Sequence, residues 1–216
     1  MSPGTKHAGE TVVLVHGLWL SGWCLLVLQR HLRRCGFSDA RAFSYRSVSR
    51  DLLENAQALQ RFVQQLDAPT VHFVGHSLGG LVIRALFHQY PQQPPGRIVT
   101  LGTPHRGNHP ARILARAAIG RAITGRSVAQ LVAGVPDGWA LPPRDLGIIA
   151  GDLSVGLGRL FPGLPTPNDG VVALAETDLP GARDRIRVHV SHTALVLSRR
   201  VAEQVCHFLK HGRFAH

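Results

Sequence analysis

Ser77 sits in the run VHFVGHSLGGLVI at 71–83, where strand-like apolar residues meet G-x-S-x-G and a helical pattern follows. A structural turn needs the glycines but not the serine between them. A tight strand–turn–helix junction gives that serine a use: the turn strains its backbone and lifts the hydroxyl clear of the carboxyl edge of a sheet. Gly75 and Gly79 meanwhile keep strand and helix from clashing. The first turn of the following helix offers free N–H groups and the positive end of its dipole, so an oxyanion beside Ser77 would be stabilised there. Residue type and spacing therefore point to nucleophilic attack by a serine.

A serine hydroxyl is a weak nucleophile until a base takes its proton, and this kind of elbow is followed in the chain by an acid and then a histidine. The chain has 13 histidines, so position has to select among them. His192 comes just after the late strand-like stretch RIRVHV, whereas His189 lies inside it. For the acid, Asp152 closes the strand-like LGIIAGD, and Asp169 sits in PNDGVV. There Asn168 and Gly170 suit a tight turn, and the following valines would anchor it. Asp178 and Asp184 have charged neighbours and read as surface residues. The acid must hold the imidazole in one tautomer, so a rigid seat matters; Asp169 is favoured and Asp152 is the alternative.

Two backbone N–H groups are the expected oxyanion donors, that of Leu78 after the serine and that of Leu18 in the loop VHGLWLSGW. Gly17 would let that loop approach closely. Trp19 and His16 are the candidate substrate-binding residues; His16 could also be catalytic, but it better suits ordering the loop. Trp19 and Trp23 could line an apolar pocket or pack half-buried on the first helix.

These residues need a frame. The continuous apolar run at 11–17 ends in glycine, as a strand buried on both faces does. Helical spacing follows at 23–36 with a glycine stop, then a weaker strand at 40–45. A strongly amphipathic helix spans 49–66, with Ser49 or Asp51 able to cap it. Further strands are expected at 71–74, 97–103, 146–152 and 185–190, with helices at 78–90 and 193–210. This alternation predicts a single α/β domain over 1–216, a doubly wound and mostly parallel sheet of about six strands. Two stretches interrupt it: 107–145, which reads as one or two short helices forming a small cap, and the Gly- and Pro-dense loop 153–169.

Composition bounds the rest. At 216 residues, 44% hydrophobic and 17% charged, the chain can bury a core without metal or disulfide staples. The net charge of +11 is Arg-rich and spread along the chain, with no basic arm, and aromatics are only 6%. No nucleic-acid partner is expected; the charge would favour an anionic membrane surface or substrate. Three cysteines without CxxC give no metal or redox motif. MSPGTKHAGE has no apolar signal region and no long apolar run follows, so the simplest compartment is the cytoplasm, although an exported chain trimmed of its signal would look the same.

VLVHGLW, GHSLGG, TLGTPHRG, PNDGVV and SHTALV together resemble the α/β-hydrolase fold, in its bacterial lipase and esterase branch, from Val12 to Leu209. The resemblance implies a short form lacking the first two strands. It also implies a Ser77–Asp169–His192 triad that cleaves a small-molecule or lipid ester through an acyl-enzyme, without a cofactor. The same triad would serve an acyltransferase or thioesterase, and a hydrolase-fold binding protein without turnover is the alternative of another class. NDGVV…SH is similar to NDGLV…NH of the calcium-dependent bacterial lipases. In those an aspartate two residues after the histidine binds calcium; Ala194 stands here, so no metal is expected. HPARILARAAIGRAI could lie at an interface or simply cover the sheet, and His105 reads as a loop residue.

Overall fold

Apolar runs without alternation cannot leave either face in water, so they pair side by side under helices on both faces. A computed structural model of the chain describes residues 9–116, 138–156 and 163–216. In it the runs form β1 (Glu10–Val15), β2 (Asp39–Phe43), β3 (Thr70–His76), β4 (Ile98–Leu101), β5 (Leu146–Gly151) and β6 (Asp184–Val188). All pairings are parallel, in the order β2-β1-β3-β4-β5-β6. The helices between them are α1 (Leu26–Arg34), α2 (Leu52–Gln64), α3 (Leu78–Gln89), α4 (His109–Arg116) and α5 (Arg199–His211).

The two-residue period of β1 divides the core. Val13 and Val15 join Leu52, Ala56 and Leu59 of α2 and Leu81, Val82 and Leu86 of α3 on one face. Val12 and Leu14 join Leu28 and Leu32 of α1 and Val201, Val205 and Phe208 of α5 on the other. Each such aliphatic side chain contributes roughly 1.5–3 kcal/mol by leaving water. Of the two expected caps for α2, Asp51 makes the bond. Its Oδ1 accepts from Glu54 N at 2.8 Å, and Glu54 Oε2 accepts from Asp51 N at 2.9 Å, closing a capping box.

Several expected boundaries move, and three of the shifts have a visible cause. Tyr45 leaves β2 early, because its N–H donates to His16 Nε2 and its hydroxyl to His16 O instead of a strand. Val190 lies past the end of β6, its N–H turned back to Val188 O. The expected helix at 193–210 is two pieces, a 3-10 turn at Thr193–Val196 and then α5, whose start Ser198 caps by accepting from Val201 N at 3.4 Å. Of the expected cap at 107–145, α4 and residues from 138 onward are described, and 117–137 lie outside the described residues. Residues 157–162 of the expected loop do as well. Among the described residues no helix is long and apolar enough to cross a membrane.

Two of the three cysteines, for which the sequence suggests no pairing, are joined. Cys35, just after α1, is bonded to Cys206 in α5, while Cys24 is a free thiol. The bridge pins together two helices on the same face of the sheet across a separation of 171 residues. Closing so long a loop restricts the unfolded chain by up to about 5 kcal/mol in the chain-entropy description. Cys35→Ser is therefore expected to destabilise by roughly 2–5 kcal/mol, read as a lower midpoint in chemical denaturation. An unchanged midpoint, or three reactive thiols in the unreduced unfolded wild type, would show that the bridge does not form.

Candidate active site

The chain reverses its direction of travel across the sheet at β1, which pairs with β2 on one side and β3 on the other. The helices that follow β1 and β3 lie on opposite faces of the sheet, and the carboxyl ends of strands at such a switch are where open α/β sheets bind ligands. Val15 pairs with Gly75, which sets His16–Gly17–Leu18 beside His76–Ser77–Leu78. The two loops nearly touch: a Cβ added to Gly17 would lie 3.1 Å from Ser77 Cβ and 3.2 Å from His76 Nδ1.

Ser77 has φ 54° and ψ −123°, a left-handed conformation that a non-glycine residue holds only under constraint. The constraint is visible. Ser77 N–H donates to Leu101 O at 2.9 Å. The helix that follows sits directly on the strand ends: a Cβ on Gly79 would lie 2.2 Å from Val15 O, and one on Gly75 2.6 Å from Gly80 N. Any side chain at either glycine would lift α3 off the sheet and release the turn. Leu78, fully buried, is the first residue of α3, where a backbone N–H has no acceptor within the helix.

Asp169 and His192 meet at the same edge of the sheet. His192 Nδ1 lies 2.7 Å from Asp169 Oδ2, with the Asp169 side chain only 1% exposed. A carboxylate accepts, so Nδ1 carries the proton and Nε2 is left as the basic nitrogen. The other carboxylate oxygen, Oδ1, accepts from Val171 N at 3.0 Å and Val172 N at 2.7 Å. His192 N–H donates to Asp169 O at 2.8 Å. The turn is closed further by Asn168, which donates to Pro165 O and accepts from Gly170 N. Asp152 is engaged elsewhere, with His189 Nδ1 at 2.8 Å and Arg187 Nε at 3.0 Å on the side of β6.

The remaining candidates separate by exposure. His16 is fully buried and stacks on Tyr45; Nδ1 donates to Gly17 O at 2.8 Å and Nε2 accepts from Tyr45 N at 3.3 Å. Both nitrogens are spent, so His16 acts on the shape of the loop. Leu18 packs partly buried against the α2/α3 side of the core. Trp19 is 52% exposed and borders an open cleft of about 540 Å³ with Leu20, Tyr45, Arg46, Ser47, Val48 and Ser49. Trp23 is 80% exposed, neither half-buried on α1 nor among the residues lining that cleft. His105 is buried against Thr100, as a loop residue would be. Among the described residues no cluster of His, Cys, Asp or Glu could hold a metal ion, and Ala194 lies in the 3-10 turn after His192.

Sequence reasoning passed over Gly102. It has φ 56°, and a Cβ there would lie 3.0 Å from Asp169 Oδ2 and 3.1 Å from His192 Nδ1. A side chain at that position would intrude on the pair. The only signal for it was a glycine closing an apolar run in TLGT.

Two buried imidazoles make stability depend on pH. Burial first, then the nearby His192, lowers the pKa of His76 to about 3; burial and then the charge of Arg84 lower that of His105 to about 3. Above pH 6.5 these rings are neutral both folded and unfolded. Below it the unfolded chain binds protons that the folded protein refuses, so stability falls as the pH drops from about 6.5 towards 3. By pH 5 each ring should account for about 2 kcal/mol. His105→Asn should shrink the loss between pH 7 and pH 5 by that amount in denaturant titrations; an equal loss in the variant would remove His105 as its source.

The fold has relatives of known structure. The chain is similar to mature lipase BlEst2 from Bacillus licheniformis, with a TM-score of 0.77 at 21% identity over 97% of this chain and 95% of that one. It is similar to the metagenomic carboxyl esterase MGS0156, at 0.71 and 19% over 89% and 67%. It is also similar to carboxylesterase CesB (YbfK) from Bacillus subtilis, at 0.60 and 16% over 97% and 86%. At these identities the likeness establishes the α/β-hydrolase fold. No curated protein sequence matches the chain. The model of the domain of unknown function DUF7379 matches residues 3–140, well over half of the 216 residues, and the chain belongs to that family.

Proposed function

We propose that the chain is a serine hydrolase of carboxylic esters, with Ser77 as nucleophile, His192 as general base and acid, and Asp169 as the residue that orients His192. The observation that carries the reading is the buried 2.7 Å pair of Asp169 and His192 at the sheet edge where Ser77 is held at positive φ. With Nδ1 committed to Asp169, His192 Nε2 takes the proton of Ser77 as its oxygen attacks the ester carbonyl. The carbonyl carbon becomes tetrahedral, and the N–H groups of Leu18 and Leu78 receive the negative charge on its oxygen. His192 returns the proton to the departing alcohol, leaving the acyl group on Ser77. Water, deprotonated by the same nitrogen, then attacks the acyl carbon; the bond to Ser77 Oγ breaks as His192 returns the proton to that oxygen, and the acid leaves. No step calls on a cofactor.

The cleft beside Trp19 has room for part of a small-molecule or lipid ester, and the lipase and esterase names of the structural relatives support that substrate class. The test is a fluorophosphonate probe followed by peptide mapping, together with p-nitrophenyl esters of increasing acyl length. The reading expects one phosphonylated residue, Ser77, and turnover of at least the shorter esters. No label at Ser77 and no hydrolysis of any ester would refute it. Labelling with acyl transfer to an added alcohol or amine in preference to water would make the protein an acyltransferase.

A further inference from the structure

His76 immediately precedes Ser77 and takes no part in the chemistry assigned to Ser77, His192 and Asp169; a role for it rests on the reading of Ser77 as nucleophile and His192 as base. The His76 side chain is buried at the end of β3. Its Nε2 lies 3.1 Å from the carbonyl oxygen of His192, and a carbonyl only accepts, so Nε2 carries the proton. The two rings also pack together, with centroids 4.7 Å apart and 43° between their planes. On its other side the Nδ1 of His76 has no partner among the described residues and abuts Gly17 of the oxyanion loop.

His192 is thus gripped from two directions. Its N–H and Nδ1 are both held by Asp169, at 2.8 Å and 2.7 Å, which fixes the ring relative to the Asp169 turn. Neither bond relates that turn to Ser77. The bond from His76 does, because it ties the His192 backbone to the strand end that carries the serine, 116 residues earlier in the chain. We propose that His76 is a positioning residue, whose Nε2–H bond to the His192 carbonyl sets the distance and tilt of the His192 ring against Ser77. The role suits a neutral ring. Burial and the nearby His192 keep His76 unprotonated to about pH 3, so it takes no proton when His192 does and adds no positive charge against the imidazolium.

The test compares two variants without the donor, His76→Phe and His76→Leu, with one that keeps an N–H at a similar reach, His76→Gln. The readouts are kcat and KM on a short p-nitrophenyl ester, the rate of fluorophosphonate labelling of Ser77, and the melting temperature. Misplacing a reacting group by about 1 Å can lower the rate about a hundredfold. The donorless variants should therefore lose about 10- to 100-fold in kcat and labelling rate. KM should stay within about twofold, and the melting temperature should not follow the loss in rate. His76→Gln should recover most of the rate. Wild-type rates in a folded His76→Phe would overturn the role, as would a His76→Gln loss equal to that of His76→Phe.

A wild-type protein that neither labels nor hydrolyses would overturn the hydrolase reading, and this inference with it. Labelling at one rate in all four proteins would overturn this inference alone. Should the donorless variants fail to fold, ring ¹⁵N shifts of the wild type decide: His76 should remain the neutral Nε2–H tautomer between pH 5 and 8, and protonation or the opposite tautomer in that range overturns the bond.

Discussion

Ser77→Ala should leave a folded protein whose ester turnover is lower by about a millionfold, because nucleophile and base act as a unit and the loss of either removes nearly their whole joint contribution. The substitution is clean. The Ser77 side chain makes no capping bond to α3, so its loss takes nothing from the helix start. Alanine keeps the Cβ that faces Gly17 and bears the same left-handed conformation. The melting temperature should move by no more than a degree or two. Turnover above a few per cent of wild type in purified Ser77→Ala would end the assignment of Ser77 as nucleophile, and a large fall in melting temperature would show that the hydroxyl has a structural task.

Asp169→Asn carries the second largest expected effect, a loss of about ten-thousandfold in kcat. The direction follows from the turn. Val171 and Val172 both point N–H groups at Oδ1, so the amide oxygen of an asparagine must occupy that position. The NH₂ then faces His192 Nδ1, where it can only donate. His192 is driven into the opposite tautomer, with its proton on Nε2, and loses its basic nitrogen on the side of the serine. Asp152→Asn is the matched control. It weakens contacts with Arg187 and His189, both exposed side chains whose ion pairs contribute about 0–1 kcal/mol, and it should leave kcat within a few-fold of wild type. A folded, nearly inactive Asp152→Asn beside an active Asp169→Asn would reverse the assignment. Mild losses in both would mean that neither carboxylate orients the base.

Where local pattern and local structure coincide, the sequence was read directly. The apolar runs that became β1, β3, β4 and β5 needed no partner to be recognised, since an alternation-free strand has both faces to bury. The α2 helix announced itself by apolar residues at helical spacing and by Asp51 with Glu54. The strained turn at Ser77 was legible from Gly75 and Gly79, because strand and helix can approach so closely only without side chains there. Edge elements were less legible. β6 has alternating burial, and Tyr45 has the composition of a strand residue yet leaves β2 to hold His16.

The acid shows where sequence stops. Asp152 and Asp169 both lie between Ser77 and His192, and chain order admits either. What separates them is a contact between segments distant in sequence: Gly151, at the tip of β5, leaves room for the Asp169 side chain, with a Cβ there only 2.8 Å from Asp169 Cβ. Asp152, one residue on, meets Arg187 and His189.

The residue types that could do the chemistry, the strands and helices that carry them and the tight turn at Ser77 were determined by the sequence by itself, since each depends on neighbours within a few positions. The geometry that seats His192 on the favoured Asp169, its contact with His76, the approach of Gly102 to both members of the pair, the withdrawal of His16 into the loop and the bridge from Cys35 to Cys206 were decided by the tertiary structure. These contacts span from about 23 to 171 residues of chain. Such contacts have no local period or composition to mark them; they exist only once burial of both sheet faces has brought the strand ends and helices together.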